Sequence, residues 1–243
     1  MVSREPPHER YRRDHYPYRM RVYHWENRRA IIADLFEAER RHLSLAVGAV
    51  LLGGFARSVE GPLVAALWSV VDQAPFRHMQ TPGGHRMSVA MTNCGALGWV
   101  TDRMGYRYDA FDPDSGRPWP NMPAVFNMLA TRAAAEAGFD SFTPDACLIN
   151  RYAPGARLTL HQDRNERDFG APIVSVSLGL PAVFLFAGLQ RGETPRRVPL
   201  MHADVVVWGG PSRLRYHGVR PLEAGDHPLI GRYRINLTFR KAG

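Results

Sequence analysis

The triplet His161-Gln162-Asp163 closes an alternating run, "RLTLH", and sets a histidine and a carboxylate two residues apart. Side chains at i and i+2 of a strand point to the same side, so His161 and Asp163 can grip one ion from the rim of a sheet. Two histidines and one carboxylate on one face of an octahedron are the ligand set of non-haem Fe(II) oxygenases, which leave three positions open. The second histidine must then come from a distant strand. Five of the ten histidines fall within the first 78 residues, away from the β-rich part of the chain. Of the others, His85 lies in a Gly- and Pro-rich segment, His202 closes "RRVPLMH" before a turn, and His227 sits in the loop "GDHPL". His217, in "RLRYHGV" after the apolar "DVVVWGG", is the best candidate. A chance HxD with an ordinary structural histidine would read the same. The strand-end position and the later strand histidine favour the metal. Asp168, further along "HQDRNERD", reads as a solvated loop charge.

An oxygenase with this site needs a source of two electrons. 2-Oxoglutarate supplies them by decarboxylation, and its far carboxylate calls for a buried arginine, best in a bidentate, charge-assisted pair. The last strand, "RINLTFR", alternates Arg234, Asn236, Thr238 and Arg240 with Ile235, Leu237 and Phe239. Burying such a polar face is costly unless it binds something. A half-buried strand with a solvated polar face would carry the same pattern, and periodicity alone leaves both readings open. "NRY" adds Asn150 and Tyr152, again on one side of a strand.

The elements that must position these residues are β-rich. From about residue 146 onward, eight short runs rich in β-branched and aromatic residues are punctuated by Gly, Pro and Asp. They begin with "CLINRYA" and end with "RYRINLTFR". No helical pattern separates them, which excludes a parallel α/β sheet and predicts a sandwich, barrel or jelly roll. Two helices precede them. "SVEGPLVAALWSVVDQA" (58–74) has Ser58 as its expected N-cap and Leu63, Leu67, Val70 and Val71 at helical spacing. "NMPAVFNMLATRAAAEAG" (121–138) starts near Pro123 and stops at Gly138, with Met128 and Leu129 expected in the core. Residues 81–119, rich in Gly, Pro, Tyr and Trp, read as hairpins and long loops forming a lid over a binding site. "IIADLF" (31–36) opens the folded domain, expected over 31–243 with its core at about 146–243. Residues 1–30, with eight arginines against four acidic residues, read as a disordered basic extension.

Composition narrows the class further. The formal charge is +8, and Lys241 is the only lysine. Arginine's planar fork suits phosphate contacts, and the net charge attracts polyanions. No apolar run approaches the ~20 residues that span a bilayer, and no signal-peptide core precedes the domain. A monomeric cytoplasmic protein without a membrane partner is expected. Cys94 and Cys147 form no metal-binding spacing and are expected to stay free.

Taken in order, "TPGG", "MSVAMTNCG", "PDACLINRYAPGA", "HQD", "PIVSVSLGLPA", "DVVVWGG", "YHG" and "NLTFR" resemble the AlkB-type Fe(II)/2-oxoglutarate-dependent dioxygenases, from about residue 31 to 243. The resemblance implies a mainly β fold, a double-stranded β-helix or jelly roll with flanking helices and a nucleotide-recognition lid. It implies Fe(II) on His161, Asp163 and His217. It implies 2-oxoglutarate among Asn150, Arg151, Tyr152, Arg234, Asn236, Thr238 and Arg240. Arg234 would meet the distal carboxylate and Arg240 the one near the metal. Thr81, Trp99, Tyr106, Arg107, Tyr108, Asn165 and Arg191 would face the substrate, with the base held between Trp99 and the His161 ring. The implied reaction uses O2 to demethylate N1-methyladenine and N3-methylcytosine in DNA, preferably single-stranded, and in RNA, and it releases formaldehyde, succinate and CO2. One position departs from the pattern. Members that repair DNA often carry an acid two residues beyond the ligand carboxylate, and this chain has Asn165. That puts its base preference in question. A 2-oxoglutarate hydroxylase acting on protein or lipid, and a non-catalytic cupin-like metal or nucleic-acid binder, are the alternatives.

Overall fold

The alternation of the last strand organises the molecule. In the computed structural model, which describes residues 42–243, every residue of that strand is buried on both faces. The basic segment 1–30 and "IIADLF" lie outside the described residues. The strands, in chain order, are β1 (Leu43–Ala46), β2 (Ala49–Leu52), β3 (Ala90–Gly95), β4 (Gly98–Asp102), β5 (Gly105–Asp109), β6 (Ala146–Tyr152), β7 (Leu158–His161), β8 (Ile173–Gly179), β9 (Ala182–Phe186), β10 (Arg196–Leu200), β11 (Val205–Trp208), β12 (His217–Val219) and β13 (Arg234–Arg240). The helices are α1 (Glu60–Gln73) and α2 (Ala124–Glu136). β6 to β13 coincide with the eight β-rich runs of the sequence.

The strands form a seven-stranded sheet, ordered β1-β2-β11-β8-β13-β6-β3, a four-stranded sheet, β10-β9-β12-β7, and the hairpin β4-β5. All their pairings are antiparallel. Each face of the large sheet has its own apolar partner. Outward, Ile235, Leu237 and Phe239 of β13 pack with Val174, Val176 and the helix residues Leu63, Leu67, Phe126 and Leu129. Burying each such side chain contributes about 1.5–3 kcal/mol. Inward, Leu148, Tyr152, Ile173 and Trp208 meet Phe184 and Phe186 of the small sheet. The other face of β13, Arg234 to Arg240, points into the space between the sheets. This is a jelly roll.

Three local expectations need correction. Ser58 does not cap α1: a 3-10 turn, Arg57–Val59, precedes the helix, Val59 takes the cap position, and no side chain caps it. Met128 is 45% exposed while its neighbour Leu129 is buried, because α2 turns only one side to the sheet. The span 81–119 is not all lid. β3 lies inside it and pairs along its length with β6, so the part standing apart from the large sheet is β4-β5 and its flanking loops. Cys94 and Cys147 face each other across β3 and β6 as buried free thiols.

Candidate active site

β7 and β12 are hydrogen-bonded neighbours, with His161 directly opposite His217. Their rings stand 4.4 Å apart. The strands approach closely at Gly218, where a Cβ would lie 2.7 Å from the Leu158 carbonyl oxygen. Asp163 follows β7 by two residues and brings its carboxylate to both rings. Oδ1 lies 3.8 Å from His161 Nε2, and Oδ2 lies 3.8 Å from His217 Nε2. All three potential ligand atoms fall within 4.8 Å of one another. Each imidazole is oriented by its own strand: His161 Nδ1 sits 2.8 Å from Thr159 O and His217 Nδ1 sits 3.0 Å from Arg215 O. A carbonyl can only accept, so both Nδ1 atoms carry the proton and both Nε2 lone pairs face the centre. This is the arrangement a metal-binding histidine needs.

Charge is arranged to match. Burial pushes His217 down to about 4, with His161 adding to the effect, so the imidazole is neutral near pH 7. Burial alone would raise the Asp163 carboxyl. The Arg240 guanidinium, with His217 and His161, outweighs it and holds the group below the usual carboxylate range. Arg240 donates from Nε and Nη2 to Asp163 Oδ2, at 2.9 and 2.6 Å.

Beside the three ligands lies a cavity of about 350 Å³. Its inner wall is the polar face of β13 with Asn150 and Tyr152 of β6. Arg234 is 1% exposed and has no acidic partner among the described residues. It donates from Nη2 to Ser177 Oγ at 3.0 Å and rests on the Tyr152 ring at 4.9 Å. Its Nε and Nη1, the Tyr152 hydroxyl and Asn150 Oδ1 make no hydrogen bond among the described residues. Burial lowers the Arg234 pKa and raises that of Tyr152. A buried cation and orphaned polar atoms around one hole are costly, and a dicarboxylate fits them. Asn236 is held more fully, donating to Ser175 Oγ and Val176 O and accepting from Thr238 Oγ1.

The outer wall belongs to β4-β5. Trp99 and Tyr106 stack there, centroids 5.7 Å apart, and both line the cavity with Thr81 and Asn165. Trp99 Nε1 donates to Asn165 Oδ1 at 3.2 Å.

Four expected residues lie elsewhere. Arg151, one step out of register with Asn150 and Tyr152, faces the helix side between the rings of Phe76 and Tyr233. Arg107 is on the opposite face of β5 from Tyr106 and makes a two-pronged pair with Asp102. Tyr108 is half-buried, its hydroxyl donating to Glu166 Oε1 at 2.6 Å. Arg191 is exposed in the loop after β9 and does not line the cavity. Sequence reading missed Ser175 and Ser177, although their spacing in "IVSVSLGL" matches the polar face of β13. It also missed Glu166 and Arg213, a buried pair 3.1 Å apart that braces the loop behind Asp163. Nothing in the sequence marked those two.

A sequence profile of the 2OG-Fe(II) oxygenase superfamily matches residues 48–240, from β2 to the last residue of β13. The chain is a member of that superfamily. Within it, the chain is 59% identical over 211 residues to the alpha-ketoglutarate-dependent dioxygenase AlkB of Escherichia coli, covering 86% of this chain and 98% of that one. It is 35% identical over 125 residues to the human nucleic acid dioxygenase ALKBH1, covering 51% and 31%. The solved structure of OsALKBH1 superposes with a TM-score of 0.72 at 27% identity, over 82% of this chain and 99% of the other. Members of this superfamily use Fe(II) and 2-oxoglutarate, and the His161, Asp163 and His217 cluster is a candidate site for the metal.

Proposed function

We propose that this protein is an Fe(II)- and 2-oxoglutarate-dependent dioxygenase that demethylates alkylated bases of nucleic acid, restoring DNA by direct reversal. One observation carries the reading: two histidines and an aspartate converge at the mouth of a cavity whose inner end holds an unpaired buried arginine and whose outer end is walled by stacked aromatics. The first feature suits iron, the second a dicarboxylate, the third a planar base. The similarity to AlkB and to a nucleic acid dioxygenase supports the same substrate class.

His161, Asp163 and His217 would hold the iron. Arg234 and Tyr152 would bind one carboxylate of 2-oxoglutarate, with Asn150, Asn236 and Thr238 completing the wall. Arg240 would meet its other carboxylate while keeping Asp163 ionised. With O2, iron and 2-oxoglutarate together supply the oxidation, in which the co-substrate becomes succinate and CO2 and the methyl carbon gains a hydroxyl. The resulting N-hydroxymethyl group releases formaldehyde and leaves the unmodified base. Trp99 and Tyr106 offer faces to an extruded base, which cannot reach the cavity from within a duplex. Phe184 and Trp208 close the inner wall against bulk water. Single-stranded DNA is the preferred substrate and RNA a second one. The protein acts as a monomer in the cytoplasm. Among the described residues, no helix is long and apolar enough to cross a membrane.

The test mixes the protein with Fe(II), 2-oxoglutarate, ascorbate and a methylated oligonucleotide, and follows formaldehyde together with loss of the methyl mass. Demethylation is expected. Folded, metal-loaded protein without turnover would favour a binding protein. Succinate formation stimulated by a protein or lipid, and not by the oligonucleotide, would favour a hydroxylase of that class.

A further inference from the structure

We propose that a polar groove beside the active-site cavity holds the nucleotide next to the target base, with a backbone phosphate of the substrate strand on Arg167. The inference rests on the demethylase reading and extends it from the base in the cavity to that base's neighbour.

The first support is continuity. Tyr106 and Asn165 line the active-site cavity and also a second hollow of about 350 Å³. Successive residues of β5, Tyr106 to Tyr108, form one side of this groove, and Leu97, Ala242 and Gly243 lie along it. The last two are fixed in place. Asp145 accepts from Ala242 N at 2.6 Å, from Gly243 N at 3.2 Å and from Lys241 Nζ at 2.9 Å. A base held beside Trp99 stays joined to its strand, so its neighbour must leave across the mouth of the cavity. The shared residues Tyr106 and Asn165 mark one such exit. The groove beyond them has the volume of a small-ligand site.

The second support is charge. Two arginines line the groove, and no Asp or Glu side chain does. Arg107 is engaged by both carboxylate oxygens of Asp102 and lies 3.6 Å from Asp109. Arg167 is free. Its backbone N–H donates to Ala242 O at 3.2 Å, which seats the residue beside the groove. Arg167 is exposed, and its side chain makes no ion pair or hydrogen bond among the described residues. The acids on either side of it in sequence are taken: Glu166 accepts from Tyr108 and Arg213, and Asp168 accepts from Gly170 N. The iron and 2-oxoglutarate of the proposed function leave this balance unchanged. Their charges are equal and opposite, and none of His161, Asp163, His217, Arg234 and Arg240 lines the groove. An unpaired guanidinium can present two N–H groups to two phosphate oxygens. Cations of this kind, set among aromatic side chains, track the backbone of single strands.

The experiment uses the full chain with Fe(II), 2-oxoglutarate and three single-stranded oligonucleotides of one length. They carry N3-methylcytosine in the middle, at the 5′ end or at the 3′ end. KM and its salt dependence are measured for the natural protein, Arg167→Ala and Arg167→Lys. Affinity without oxygen, by fluorescence polarisation, gives the same comparison where an end-placed base turns over slowly. Matching melting temperatures will verify that the variants are folded. Arg167→Ala is expected to raise KM about fivefold for the central base and for one of the two end placements, and to leave the other within about twofold. The slope of log KM against log salt should fall by about 0.7, one phosphate contact of a single strand. kcat should be unchanged, and Arg167→Lys should keep most of the contact. Equal losses on all three oligonucleotides would make Arg167 a general attractor of polyanions and overturn the groove assignment. Unchanged KM and slope would overturn it as well, and in both cases continued demethylation leaves the demethylase reading standing. Turnover of none of the three would overturn both.

Discussion

Asp163 and Arg240 meet through a single oxygen. Nε and Nη2 of the arginine both donate to Oδ2, while Oδ1 is left toward His161. The same side chain is thus counter-ion to a buried cation and a proposed ligand for iron, whereas His161 has only the proposed metal role.

Asp163→Ala and His161→Ala should therefore differ in stability although both lose the metal. Removing the aspartate leaves Arg240 with Glu166, 3.4 Å away and already shared with Arg213 and Tyr108. A buried charge left short of its partner costs up to about 3 kcal/mol, several degrees of melting temperature at this size. The His161 side chain is 38% exposed, and its loss should cost about 1 kcal/mol or less. Thermal melts of the two metal-free variants check this, and equal melting temperatures would refute it.

Arg234 gives a prediction of opposite sign. Its guanidinium is buried with two nitrogens unpartnered, so the empty protein carries a desolvation penalty that 2-oxoglutarate relieves. Arg234→Met should raise the melting temperature of the metal-free protein by a few degrees and raise the KM for 2-oxoglutarate about 100-fold or more. If the variant melts below the parent, the arginine contributes to the empty fold and the argument fails.

These relationships also show what the sequence could reveal. Period-two alternation places Arg234, Asn236, Thr238 and Arg240 on one face of a strand, but it does not say whether that face meets water or the interior. That depends on the small sheet lying over it, a non-local fact. The clustering of His161, Asp163 and His217 was legible because two of them are two residues apart and the third lies in another recognisable strand. Arg151 and Arg107 lie off the cavity, and Tyr152 and Tyr106 line it, for one reason: in a strand, a shift of one residue changes the face. Glu166 and Arg213 are joined only by the path of two loops, and no spacing records that.

His217 makes the stability of the metal-free protein depend on pH. Its folded pKa, about 4, is below the ordinary value of 6.5. A depressed group contributes stability that is fully present above its unfolded pKa and is lost as pH falls through the folded one. The loss should run from about pH 6.5 to pH 4 and amount to about 3 kcal/mol. Melting temperature against pH should fall across that window, and His217→Gln should flatten the fall. A parallel decline in the variant would assign the effect to other groups.

Tyr106 and Tyr108 lie on the same face of β5, yet their hydroxyls and rings have different tasks. Tyr106 is 47% exposed, stacks on Trp99 and lines the cavity. Base–aromatic stacking is worth about 1–3 kcal/mol, so Tyr106→Ala should raise the KM for a methylated oligonucleotide by roughly 5- to 150-fold with little change in melting temperature. Tyr108 is half-buried and donates to Glu166, which also accepts from Arg213. Tyr108→Phe removes one hydrogen bond to a charged acceptor, worth about 1.5–3 kcal/mol. It should lower the melting temperature by several degrees while leaving the KM for the oligonucleotide within about twofold, that is, within about 0.4 kcal/mol. A large KM effect from Tyr108→Phe, at unchanged stability, would show instead that this hydroxyl leaves Glu166 to meet the substrate.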